Sequence, residues 1–384
     1  MADNEGRTCV YGLRHQARCL TAVVADSDHN KFLVGSQSLK RENEVHLLDF
    51  REDEFEITSS VFQHSEEVWD IASCPMQDDL FFTCYKKFNS NVIQSKASLW
   101  RMNNIEAISE DSETNPQSQR APVAPSSPLE TIFEVDGDAS IKKVLWEPKK
   151  VLTNFASIHD HALNVWALGD QFTTAKLLNT FEFSSSTGPL TTGAWNPHQP
   201  EIAIGKERSI SGWDIKSQSQ TFNINGAHSI LVRALDFNPN KPNHIASAGD
   251  DCKVRFWDIR NTTESIKEIS DHTHWIWAIA YNRFHDQLFL SSGSDCQVNL
   301  QSIVSISSAM FQYNEYDDNK SEDGYQETIS RPTDGLVRTY DQHEDSVYSV
   351  AWSAHDPWVF CSLSYDGRAV INRVPREEKY RIIL

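Results

Sequence analysis

The chain of 384 residues carries 35 lysines and arginines against 54 aspartates and glutamates, a formal net charge of −19. This acidic balance argues against broad binding to nucleic acid or to anionic membranes. Seven scattered cysteines without a Cys-x-x-Cys pair predict reduced thiols in a cytosolic protein, and no apolar run approaches the roughly 18 residues of a transmembrane helix. The polar N-terminus does not resemble a signal peptide, so we expect neither a signal peptide nor a membrane span.

Short runs of alternating apolar and polar residues, bounded by turn residues, recur along the chain and predict an all-β protein. A first strand at 9–13 is expected to complete the last repeat of a closed ring. Repeat 1 is irregular, with Leu48 where later repeats have tryptophan, and repeat 2 begins at His64. A long polar connection is expected at 86–96. The strands of these two repeats are predicted at 20–24, 32–35, 45–50, 68–72, 80–84, 97–100 and 129–135.

The clearest repeat, at 226–260, combines three strand patterns with four residues at fixed places, which match the WD-repeat signature. His228 precedes the first strand, and Ser247 lies on the second. Asp251 follows in a turn, and Trp257 lies on the third strand. In such a unit Asp251 accepts a hydrogen bond from His228. Ser247 bonds both His228 and the Trp257 indole, so the buried polar atoms are satisfied. Ser, His and Asp also compose a hydrolase triad, an alternative that recurrence at a fixed period disfavours.

Later repeats keep the same spacing. Trp166, Trp213, Trp257 and Gln301 are separated by 47, 44 and 44 residues, close to the ~40–45 of a WD unit. Two longer intervals contain insertions at 103–128 and 311–338, whose polar, proline-rich or acidic composition predicts disordered loops. The loops are solvated tethers or, alternatively, docking or phospho-regulated segments. We therefore predict that 1–384 is a single seven-bladed WD40 β-propeller with two long acidic disordered loops, and that 380–384 adds an outer strand.

Propellers commonly bind partners on the face where the inner strands begin. Aligning the repeats on the histidine places aromatic and arginine side chains, the residue types enriched in interaction hot spots, at two offsets near that face. The alternative is that these rings pack between blades as core. The predicted protein-interaction face consists of Glu67, Trp69, Arg233, Trp275, Trp277, Ser346 and Tyr348.

Other motifs give weaker signals. Asp258 and Arg260 form a W-D-x-R box, which in some WD proteins docks onto a cullin-RING ubiquitin ligase adaptor. The close pairs His159/His161 and His272/His274 lack a surrounding set of metal ligands. No glycine-rich phosphate loop is present. We expect no catalytic residues, no cofactor and no metal.

Several segments together resemble one particular family of WD-repeat proteins. They are FLVGSQSLK at 32–40, FNPNK at 237–241, GDDCKV at 249–254, HDQL at 285–288, VSISS at 304–308, HEDSVY at 343–348 and SLSYDGRAVINRVPR at 362–376. The family is that of the EARP and GARP complex-interacting proteins. The resemblance extends from residue 10 to residue 384 outside the two inserted loops and the region 171–187.

The resemblance implies a non-enzymatic scaffold that binds the GARP and EARP tethering complexes through their shared subunits. It implies a cytoplasmic protein, monomeric by itself, that reaches the trans-Golgi network and early or recycling endosomes through these partners. The implied roles are endosome-to-Golgi retrieval, receptor recycling and dense-core vesicle maturation. The alternative function is a substrate receptor of a cullin-RING ligase that uses Arg260.

Overall fold

The computed structural model describes residues 8–39, 42–89, 92–103, 127–135, 140–148, 154–169, 171–309 and 333–384. Within these residues the strands form seven sheets, six of four strands and one with a short fifth strand. The innermost strands of neighbouring sheets contact one another around a closed ring. This confirms the predicted seven-bladed β-propeller. Residues 104–126 and 310–332, which contain most of the two predicted loops, lie outside the described residues.

With two exceptions, the strands follow one another in chain order from blade to blade, beginning with the innermost strand of each blade. The exceptions are β1 (Cys9–Gly12), which joins blade 7, and β9 (Ser127–Pro128), which joins blade 1. The other strands of blade 1 are β2 (Ala17–Ala22), β3 (Asn30–Ser36), β4 (Asn43–Arg51) and β5 (Glu56–His64), and those of blade 2 are β6 (Glu67–Ser73), β7 (Leu80–Asn89), β8 (Val92–Arg101) and β10 (Glu130–Glu134). Blades 3 and 4 comprise β11 (Ile141–Trp146), β12 (Asn154–His159), β13 (Ala162–Leu168), β14 (Ala175–Glu182), β15 (Leu190–Trp195), β16 (Glu201–Lys206), β17 (Ser209–Asp214) and β18 (Ser219–Ile224). Blades 5 to 7 comprise β19 (Val232–Phe237), β20 (His244–Gly249), β21 (Val254–Asp258), β22 (Lys267–Ile269), β23 (Ile276–Tyr281), β24 (Leu288–Gly293), β25 (Val298–Ser302), β26 (Gly335–Tyr340), β27 (Val347–Trp352), β28 (Val359–Ser364) and β29 (Arg368–Arg373).

The ring closes by joining the two ends of the chain. β1 pairs antiparallel with β29, from Cys9 opposite Ile371 to Gly12 opposite Arg368, and so becomes the outer strand of blade 7. The expected role of residues 9–13 is confirmed. Closure in this way covers the edge of β29, which would otherwise present unpaired backbone groups to solvent.

Apolar side chains of adjacent blades pack against one another and form the core between the sheets. Between blades 2 and 3, the Phe82 ring centroid lies 4.7 Å from that of Phe155 and 5.0 Å from that of Trp146. The Trp146 indole also donates across the two blades to the Ala72 carbonyl at 3.0 Å. Apolar burial contributes roughly 25 cal/mol per Å², so each blade depends on its neighbours for much of its stability.

Three local predictions were wrong. The chain after Pro375 forms a helix, α1 (Arg376–Ile383), where a strand was predicted at 380–384. Its first turn carries acidic residues and its last turn carries Arg381, which suits the helix dipole. β1 is the outer strand of blade 7, and α1 is not part of that sheet.

The predicted connection at 86–96 is largely strand. β7 and β8 continue as a hairpin, with Lys86 opposite Ser95 and Lys87 opposite Gln94. This extension carries many polar side chains, so a pattern based on apolar alternation did not detect it. Both predicted insertions are also shorter than expected, because β9 pairs with β5 and β26 already begins at Gly335. The part of the chain that the structure describes includes 3-10 turns at Ser185–Thr187 and Val304–Ile306. Within the described residues, no helix is long and apolar enough to span a bilayer.

Candidate protein-interaction face

Each innermost strand carries a β-bulge near its start, and a bulge re-aims the side chain of its extra residue. These bulges place one residue of every blade at the same end of the central channel, which we call the mouth. The bulged residues, from blade 1 to blade 7, are Arg18, Trp69, Lys142, Thr191, Arg233, Trp277 and Tyr348. All of them line the cavities at this end of the channel.

Five of these side chains form one continuous group, the mouth cluster: Arg18, Trp69, Arg233, Trp277 and Tyr348. The Arg18 guanidinium carbon lies 4.2 Å from the Tyr348 ring centroid and 5.3 Å from each of the two indoles. The Trp277 and Tyr348 centroids are 4.8 Å apart, and the Arg233 guanidinium lies 4.9 Å from Trp277. The structure therefore brings together four residues of the predicted face.

The sequence prediction missed Arg18, which joins the aromatic residues of blades 6 and 7 to Trp69 of blade 2. In repeat 1, Leu13 stands where repeats 2, 5, 6 and 7 have histidine, and His15 is out of register, so the bulge position could not be aligned with the others. The available signal was the offset of five residues, which in repeat 1 runs from Leu13 to Arg18.

The other predicted residues occupy different environments around the mouth. Trp275 is 42% exposed and its ring packs edge-on against Trp277 at 6.1 Å. Ile230, at the corresponding rim of blade 5, is 48% exposed. Glu67 is buried and accepts a hydrogen bond from the Trp69 indole at 3.2 Å, so it positions that ring and offers little surface to a partner. Ser346 is half-buried next to the start of β27.

The cations at the mouth differ in their partners. Arg233 makes a forked contact with Asp250, at 2.7 and 2.9 Å. Lys142 pairs with Asp160 at 2.7 Å. The Lys86 Nζ atom lies 3.5 Å from the Trp69 ring centroid. Burial lowers the pKa of the Arg18 guanidinium from its ordinary value. A cavity of about 650 Å³ adjoins the cluster beneath the rims of blades 2 to 5.

Hydrogen-bond networks hold the loops around this mouth. In blade 5, His228 lies 2.8 Å from both Asp251 and Ser247, and the Trp257 indole donates to Ser247 at 2.9 Å. Burial alone would raise the pKa of Asp251, but the hydrogen bonds from His228 and Arg255 hold it well below its usual value. Ser247 is fully buried, so no substrate reaches its hydroxyl for the chemistry of a hydrolase.

Other blades keep part of this network. In blade 2, Thr83 bonds His64 and the Trp100 indole. In blade 6, His272 bonds Asp295 and Ser291, while Gln301, in the tryptophan position, donates to Asp271. In blade 7, His343 bonds Ser362 at 2.7 Å, and Asn372 occupies the tryptophan position. This repetition marks the histidines as parts of a scaffold.

Most of the chain matches known family models. A model described as the EIPR1 β-propeller matches residues 6–301, and a model of the WD domain, G-beta repeat, matches residues 335–371. The chain belongs to the EIPR1 β-propeller family. The resemblance inferred from the sequence is thereby confirmed.

Relatives of the EIPR1 family from distant organisms cover nearly the whole chain. An "EARP-interacting protein homolog" of Danio rerio is 44% identical over 98% of both chains. "EARP and GARP complex-interacting protein 1" of Homo sapiens is 40% identical over 98% of both. "WD repeat-containing protein DWA2" of Arabidopsis thaliana is 35% identical over 95% of both.

Proposed function

We propose that this chain is a non-enzymatic scaffold that binds the EARP and GARP tethering complexes through the face around its channel mouth. The observation that carries the proposal is the mouth cluster, which five blades build beside the exposed Trp275. The names of the relatives supply the identity of the partners.

The geometry of the face suits a protein partner. Trp, Tyr and Arg are enriched among the hot spots of protein interfaces. The aromatic rings bury a large area with few rotatable bonds, and arginine supplies several hydrogen-bond donors. Here they are held by strands and bulges, so little conformational entropy is lost when a partner binds. The ring thus acts as a pre-organised docking surface.

In this proposal the protein reaches membranes only through its partners. It supports recruitment of the tethers to the trans-Golgi network and to recycling endosomes, and hence endosome-to-Golgi retrieval, receptor recycling and dense-core vesicle maturation. The ligase alternative has no comparable support, because Arg260 forms a local ion pair with Asp258 at 2.6 Å and no described contact extends this motif into a larger surface.

The test is a binding measurement with purified EARP and GARP complexes on the immobilised full chain. Replacing Trp275 and Trp277 together by alanine should weaken binding at least about tenfold, as expected for hot-spot aromatics. The matched control is Phe284→Ala, since Phe284 is 50% exposed in the loop between β23 and β24, at the opposite end of the ring. Unchanged affinity in a folded double variant would exclude this face.

A further inference from the structure

We propose that the mouth binds a carboxylate from an acidic segment of the protein partner, with Arg18 as the anchoring residue. This inference rests on the proposed function and specifies the chemistry of the segment that docks there. It begins from a difference between two arginines that occupy equivalent bulges in blades 1 and 5.

Arg233 has its acceptors among the described residues, whereas Arg18 has none there. Asp250 receives two hydrogen bonds from the Arg233 fork. Among the described residues, no carboxylate pairs with Arg18 and no side-chain or backbone oxygen accepts a hydrogen bond from it. Its guanidinium instead makes cation–π contacts with the rings of Trp69, Trp277 and Tyr348.

Three rings hold the guanidinium by cation–π contacts but cannot accept its in-plane N–H bonds. A guanidinium carries five such donors in a fixed fork, and a carboxylate matches that fork with two parallel hydrogen bonds. The aromatic surroundings exclude part of the water, which makes a charge-assisted hydrogen bond stronger there than on an open surface. Arg18 is thus ready for a carboxylate that the described residues do not provide.

The neighbouring charges favour the same kind of ligand. Lys86, on the same Trp69 ring as Arg18, has no described carboxylate partner. Of the acids near the mouth, Asp250 forms an ion pair with Arg233, and Asp160 forms one with Lys142. Glu67 accepts a hydrogen bond from the Trp69 indole. Glu207 faces the adjoining cavity from blade 4. The side of the mouth near Trp69 therefore carries two cations, Arg18 and Lys86, against one described carboxylate, that of Glu67, which lies opposite Lys86 in the strand pairing.

The surroundings suit a peptide better than a free anion. Exposed Ile230 and Trp275 form an apolar rim, and the adjoining cavity of about 650 Å³ includes Leu190 and Leu231 in its walls. The expected segment therefore has an aspartate or glutamate next to an apolar residue. The inserted segment between 309 and 333 leaves and re-enters blade 6 at the end opposite the mouth, as the other segment does at 103, whereas Ser127 pairs with Phe62 in the mouth-side half of β5.

A photo-crosslink locates the segment. p-Benzoylphenylalanine is placed at position 275 of the full chain, the purified EARP or GARP complex is added, and the crosslinked peptide is sequenced. We expect a peptide that contains Asp or Glu beside an apolar residue. A crosslinked peptide without an acid, or one whose capture is lost on phosphatase treatment, would overturn the carboxylate proposal.

A double-mutant cycle then tests the pair. Arg18→Gln should weaken binding about ten- to a hundredfold, the range for a hydrogen bond between charged groups. Converting the crosslinked acid to its amide should have a similar effect, and combining the two changes should weaken binding no further. The matched control is Arg260→Gln, whose side chain lies on the outer surface and should leave binding unchanged.

The melting temperature separates anchoring from a purely structural role. Arg18→Gln removes no described hydrogen bond, so the fold should persist while binding falls. Lower thermal stability with unchanged binding would show that Arg18 only fills the channel. If Arg18→Gln has no effect while the Trp275/Trp277 variant binds weakly, the proposed function stands and this inference fails. If neither purified complex binds the parent chain, both fail.

Discussion

At the scale of single residues, the histidine networks explain how a short sequence signature becomes a rigid loop. Asp251 accepts from His228, from the Ser229 backbone and from Arg255. His228 in turn bonds Ser247, which also accepts from Trp257. Because the side chains of His228 and Asp251 are nearly inaccessible, water cannot replace a missing partner. The four predicted residues lie within hydrogen-bond distance of one another in this order.

Asp251→Ala should lower the free energy of unfolding by roughly 1–3 kcal/mol, since it leaves His228 without its carboxylate and Arg255 with Glu268 as its one remaining described carboxylate. Urea denaturation followed by tryptophan fluorescence measures this change. The matched control is Asp258→Ala, which removes an aspartate of the same blade whose partner Arg260 is exposed. An exposed ion pair contributes about 0–1 kcal/mol, so this control should change stability little. Equal losses in the two variants would contradict a special role for the buried network.

At the scale of elements, β1 is the strand on which ring closure depends. It pairs with β29 of blade 7 and also contacts blade 1, where the Tyr11 hydroxyl lies 3.0 Å from His46 Nδ1 and Cys9 donates to the Phe55 carbonyl. The Leu13 amide extends the pairing by donating to the Gly367 carbonyl at 2.8 Å. A strand of four residues thus connects the first and last blades.

Removal of residues 1–12 should lower the melting temperature and promote aggregation, because the deletion exposes the edge of β29 and separates blades 7 and 1. Differential scanning fluorimetry and light scattering measure the two effects. Val10→Ala provides the control, since Val10 is 54% exposed and the variant keeps the backbone pairing of β1. A deletion variant as stable as the parent chain would show that the ring does not need this strand.

At the scale of the whole molecule, buried titratable groups in different blades have opposite effects on stability as pH changes. Burial lowers the pKa of His64 and of His343 to about 4, from an ordinary 6.5. Burial also raises the pKa of Asp70 and of Asp236 to about 6, from an ordinary 3.8. Each aspartate accepts a hydrogen bond from the innermost strand of the next blade, at Val144 or Tyr281.

The direction in which each group changes stability with pH depends on whether the folded or the unfolded state binds more protons at that group. Between pH 6.5 and 4 the unfolded state binds more protons at the two histidines, so their contribution to stability is lost as the pH falls. Between pH 6 and 3.8 the native state binds more protons at the two aspartates, so their contribution grows as the pH falls. A shift of about two pKa units corresponds to at most about 3 kcal/mol per group.

Replacing Asp70 and Asp236 together by asparagine should therefore steepen the loss of stability between pH 6 and 4. The asparagine oxygen can still accept the hydrogen bond from the next blade, so the geometry should be kept. The measurement is urea denaturation from pH 7.5 to 4, with the difference between variant and parent plotted against pH. A difference that stays constant would show that the two aspartates titrate normally in the folded protein.

Much of the fold could be predicted because its signals are local. Strand alternation, turn residues and the spacing of Trp166, Trp213 and Trp257 specify the blades, since each blade folds from consecutive strands. The wrong predictions occurred where the local sequence pattern does not reveal the secondary structure. The polar hairpin of β7 and β8 lacks apolar alternation, and the strand predicted at 380–384 lies mostly within the helix α1.

By itself the sequence determined the all-β class, the number of blades, the strand that closes the ring, the polar network of blade 5 and the family. Tertiary structure decided the composition of the mouth. Arg18 meets Tyr348 and Trp277 because ring closure brings blades 1, 6 and 7 together, although these residues are far apart along the chain. Periodicity reports which way a side chain points within its own blade. Arg233 has a carboxylate partner and Arg18 has none among the described residues. This difference depends on neighbouring blades that come together only in the closed ring.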